Sequence, residues 1–189
     1  MRKPALFIFF AVLLTGCLNV HLVTSYDEVI DKGITDFDEQ FNTFVKNMSD
    51  AAGKEEGTYD VNMKTYNALD SKLDVLIARA ASASEGKGCK VEAKIYERID
   101  KIMQDKMPLE LKQNGQKNNG NEEGCNEKLL VLVKSQLETV REIHKTTDKC
   151  EAASGKQISC LRPATVATML KIANQSINAV SVVETAKKM

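Results

Sequence analysis

Reactive side chains are few in this 189-residue sequence: five cysteines (Cys17, Cys89, Cys125, Cys150 and Cys160) and two histidines (His21 and His144). Zinc sites draw four N or S ligands, commonly from close pairs such as C-x-x-C. No such pair occurs here, and neither does the C-x-x-C-H of attached haem. A di-iron bundle repeats E-x-x-H on its helices, yet the residue three before His144 is Arg141. His144 continues an apolar helical stripe, so it reads as a satisfied or rim-facing histidine rather than a ligand or general base. Neither G-x-S-x-G nor a P-loop is present, and Gly86-Lys87-Gly88 reads as a helix stop. Asp36, Asp38 and Glu39 alternate with phenylalanines and form a solvated helix face rather than a metal site. Phe37, Phe41 and Phe44 share one stripe and read as core, with an apolar ligand pocket as the alternative. No catalytic site, metal site or cofactor is expected from these residues.

The N-terminus carries a different signal. Met1-Arg2-Lys3 precedes an apolar run from Ala5 to Leu14, followed by Thr15-Gly16-Cys17. The run is too short for a membrane span, which needs about 20 residues, and fits the core of a signal peptide. Leu13-Leu14-Thr15-Gly16-Cys17 resembles the lipobox of bacterial lipoproteins. That resemblance implies a diacylglyceryl thioether at Cys17, cleavage before it, and acylation of the new amine, commonly with palmitate. Two or more acyl chains anchor a protein stably, at about 0.8 kcal/mol per buried methylene. Leu18 follows the cysteine where an Asp would favour the inner membrane. The resemblance therefore points to the periplasmic face of the outer membrane in the bacterial cell envelope. The expected organisation is a signal peptide at 1–16, a lipidated tether at 17–24 and a helical domain at 25–189.

Removing residues 1–16 takes Arg2 and Lys3 from 26 basic side chains, leaving 24 against 26 acidic ones. With no basic patch, nucleic acid is not an expected partner. The membrane, through the lipid, and an envelope protein are. In an oxidising compartment the four remaining cysteines read as two disulfides, for which three pairings exist.

The rest of the chain reads as helix. Ser25 and Glu28 match a capping box, and Ile30, Ile34, Phe37, Phe41, Phe44 and Met48 follow at steps of four and three. That predicts a helix over about 26–51, ending near Gly53, with Gly33 allowing a close neighbour. Thr58 can cap a second over 59–84, striped by Tyr59, Met63, Tyr66, Leu69, Leu73, Leu76 and Ala80. A shorter one is expected at 90–106, followed by a solvated loop at 112–124 without an apolar residue. A further helix over 126–149 carries Leu130, Val133, Leu137, Val140 and His144. The last runs from Pro163 to about 186 with Val166, Met169 or Leu170, Ala173, Ile177, Val180 and Val183.

Four long stripes predict an all-α fold: an antiparallel up-down four-helix bundle with one extra shorter helix and two disulfides. That order favours Cys89–Cys125 at one pole and Cys150–Cys160 at the other. The expected role is a non-enzymatic, anchored lipoprotein acting through protein contacts. A bundle that binds a small apolar ligand is the alternative.

Overall fold

The computed structural model describes residues 25–84 and 125–188. Cys17, His21, the expected helix at 90–106 and the loop at 112–124 lie outside them. The described chain is mostly helical: α1 (Glu28–Asp50), a 3-10 turn (Glu55–Gly57), α2 (Tyr59–Ser84), α3 (Cys125–Glu142) and α4 (Pro163–Ala186). A π-type turn (Ile143–Thr147) and two short strands, β1 (Lys149–Glu151) and β2 (Gln157–Ser159), separate α3 from α4.

α1 begins because Asp27, not Ser25, caps it. The Asp27 Oδ1 accepts the amides of Val29 and Ile30, two of the donors that a helix start leaves without an internal partner. All six residues of the expected stripe are buried, together with Val45. Gly33 faces α2, where a Cβ would collide with the Leu76 side chain. After Asp50 the chain turns at Gly53, whose φ of 84° is the left-handed region open to glycine. The hydroxyl of Thr58, the expected cap of α2, donates to the Glu55 carbonyl. The Tyr59 amide is satisfied instead by the Ser159 Oγ, 2.9 Å away and 100 residues on. The α2 stripe is buried except at Met63, which is exposed.

The third described helix is shorter than its stripe suggests, and the fold is not purely helical. α3 stops at Glu142, the π turn widens the backbone, and residues 149–151 pair antiparallel with 157–159. Cys150 sits opposite Ile158 in that ribbon. Gly155, at φ 78°, makes the bend, and its amide donates to the Ala152 carbonyl. Three-residue strands with one apolar side chain each, Cys150 and Ile158, are too short to read as alternation, so tertiary contacts shape this segment.

α1 packs on α2 and α4, and α3 packs on the same two helices. The stripes meet in one core, in which Ile34, Tyr66, Leu73, Leu130 and Val180 are fully buried. Leu170 takes the core position in α4, with Met169 partly buried beside it.

Candidate functional site

Most polar groups of the interior gather at the two ends of the helices. At one end stands His144, fully buried within the π turn. Its Nε2 lies 2.9 Å from the Gly57 carbonyl, which can only accept, so Nε2 carries the proton. Nδ1 is then the acceptor, and the Tyr66 hydroxyl donates to it at 2.9 Å. Burial pushes the imidazole below its ordinary value, while the Gly57 bond and Asp148 oppose that shift. Burial also pushes the Tyr66 hydroxyl far up. The ring is therefore neutral, with each nitrogen engaged by a different segment. Phe44 meets Tyr66 edge to face at 4.8 Å, and Tyr59 lies 6.0 Å from the imidazole. The Arg141 guanidinium donates to the Tyr59 hydroxyl and to Asn67, closing the cluster towards solvent.

Asp148 continues this end. Burial alone would raise its carboxyl, but the Arg162 guanidinium and amide outweigh it and hold the group below the usual range. The Arg162 amide, Nε and Nη2 all donate to it. The Asp148 carbonyl accepts the Cys160 amide. Cys160 is fully buried and bonded to Cys150 across the ribbon, at a Cα separation of 5.8 Å.

The opposite end is tied by two carboxylates. Glu184, fully buried near the end of α4, accepts the Asp27 amide at 2.8 Å and the Lys187 ammonium at 2.7 Å. It also accepts the Asn126 side-chain amide from the first turn of α3. Asp27 in turn holds Arg79 of α2 at 2.7 Å. Between the ends, Gln136 of α3 donates to the Ser176 hydroxyl of α4.

The expected Cys150–Cys160 disulfide is present. Cys125 opens α3 and is not a free thiol; Cys89 lies outside the described residues, so the other pairing has no geometry there. Phe37 and Phe41 are fully buried and stacked at 5.6 Å. Asp36 and Glu39 face solvent, with Asp38 half-buried. No group of three or more His, Cys, Asp or Glu with metal-binding geometry occurs among the described residues. No described helix is long and apolar enough to cross a membrane.

Residue patterning missed Tyr66, Gly57, Asp148 and Glu184 as polar partners. Glu184 carried a signal, since it stands four residues beyond Val180 in the α4 stripe, where a charge must find buried partners. Comparison of the chain with protein-family models, curated proteins and solved structures finds no match.

Proposed function

We propose that this protein is an exported lipoprotein, anchored through Cys17, whose body acts through protein contacts in the bacterial envelope rather than by catalysis. The observation that carries the non-catalytic part is the state of His144. It is the most versatile acid–base side chain among the described residues, and it is fully buried with both ring nitrogens engaged within the fold. The lipobox carries the anchoring part. The full burial of Phe37, Phe41 and Tyr66, with Phe37 stacked on Phe41, favours this reading over an apolar-ligand bundle.

The body is read as an antiparallel up-down four-helix bundle. Support comes from the contacts that join the start of α1, the end of α2, the start of α3 and the end of α4 at Asp27 and Glu184. The other four helix ends approach around Tyr59, His144 and Ser159. In an anchored molecule the tether enters at the Asp27 end. The disulfide-closed ribbon would then lie about 35 Å further along, the length of α1.

This reading makes two predictions. Cys17→Ser should accumulate as unprocessed precursor without thioether-linked lipid, measured by labelled-palmitate incorporation and membrane fractionation. Normally cleaved, soluble protein in that variant would refute the anchor. Non-reducing peptide mapping of the exported protein should recover Cys89 linked to Cys125 beside Cys150–Cys160. Cys89 linked to Cys150 or Cys160 would overturn the helix order. Native mass spectrometry that retains a small apolar molecule would favour the ligand-binding reading instead.

A further inference from the structure

We propose that His144 is an acid-sensitive latch: protonating its ring releases the turn at 143–147 and the ribbon at 149–159, while the Asp27–Glu184 end stays closed.

The geometry leaves a second proton nowhere to go. Nδ1 accepts from Tyr66 and Nε2–H donates to Gly57. A proton on Nδ1 forces the Tyr66 oxygen to become the acceptor and takes from its own O–H the partner it now has. The ring would also become a cation with no exposure to water, which is costly unless an anion faces it. None is free to do so. α2 presents the phenols of Tyr59 and Tyr66, with Phe44 of α1 behind them. The 3-10 turn presents the Gly57 carbonyl, while its acids Glu55 and Glu56 are exposed. α3 and the π turn add Arg141 and Lys145, and the ribbon adds Lys149, all cationic. Asp148 is the nearby anion, and Arg162 already occupies it with three donors.

What yields is the weakest neighbouring structure. The π turn is closed by the Asp148 amide on the Ile143 carbonyl, and the strands beyond it are three residues each, half of them exposed and none buried. Segments with few buried contacts open first. Opening there frees the imidazole without disturbing Glu184, which pins α1, α3 and α4 at the far end.

The sign follows from the direction of the shift. A histidine held below its ordinary value of 6.5 contributes its full stability above that pH and loses it progressively below. Each pH unit within that interval multiplies the open population about tenfold. Asp148, held below 3.8, keeps its contribution until more acid conditions. Of these two groups at the ribbon end, His144 is therefore the one that loses its contribution first as the pH falls.

Hydrogen–deuterium exchange on the full-length protein in detergent, corrected for the intrinsic pH dependence of exchange, tests this. Protection at 57–60 and 143–160 should fall, by up to about tenfold per pH unit, as the pH drops below the ordinary histidine value of 6.5, while 34–44 and 173–183 keep theirs. In His144→Gln, which retains a donor and an acceptor but cannot titrate, the fall should vanish. Flat protection in the native protein, uniform loss over all segments, or an unchanged pH profile in the variant would each overturn the proposal. If the variant does not fold, NMR titration of the His144 ring in the native protein decides. Ring charging and movement of the 143–160 amide signals should coincide, and charging with those signals unmoved would refute the latch.

Discussion

Phe41→Ala should lower the free energy of unfolding by about 3–5 kcal/mol, the cost of emptying a well-packed aromatic site. Phe41 is fully buried in α1 and stacks on Phe37, so the vacated volume has rigid walls. Helices α2 and α4 flank α1 and are themselves braced by α3, which limits collapse into the void. Urea denaturation of the variant against the native chain measures the loss. A change below about 1 kcal/mol would mean that the side chain contributes little packing.

Glu184→Ala should be of comparable size, about 3–5 kcal/mol, for a different reason. Removing one member of a buried ion pair leaves the other uncompensated. Here the Lys187 ammonium, 6% exposed, the Asp27 amide and the Asn126 side chain all lose their acceptor together. Glu184→Gln keeps an oxygen that can accept from two of these donors and should cost less, about 1–3 kcal/mol. The same urea titrations resolve the two variants. Equal losses would show that the negative charge facing Lys187, rather than the bulk of the side chain or its remaining acceptor, holds this end.

Much of the fold was legible because helical periodicity is a local property. In α1 every stripe residue from Ile30 to Met48 is buried, and Gly33 meets Leu76 closely. The single miss in the α2 stripe is Met63, exposed between the buried Tyr59 and Tyr66. The ribbon was not legible. Its strands hold together through a disulfide, a Ser159 hydroxyl reaching Tyr59, and Asp148 gripping Arg162. Those partners come from segments that sequence adjacency does not join, and the stripe through Val140 to His144 reads as unbroken helix. The polar cluster was half visible: His144 stood out on its stripe, but its partners did not. A backbone carbonyl at Gly57 leaves no trace in residue type, and Tyr66 looked like any aromatic core residue. Glu184 was legible only through its place four residues beyond Val180 on the stripe, and its partners Asp27, Asn126 and Lys187 were not.

The two connections flanking this cluster should drift differently over evolutionary time. Between α1 and α2, a Cβ on Gly57 would run into the Ala51 backbone, and the Gly57 carbonyl is held by His144. One residue more or fewer there would displace that carbonyl from the imidazole, so the length of this connection is fixed. Between β1 and β2, Gly155 has open space around it and residues 153–157 are exposed. The Cys150–Cys160 bond closes the base of that loop regardless of what its tip contains. Length variation among descendants of this sequence should therefore accumulate at 152–156 and spare 51–58.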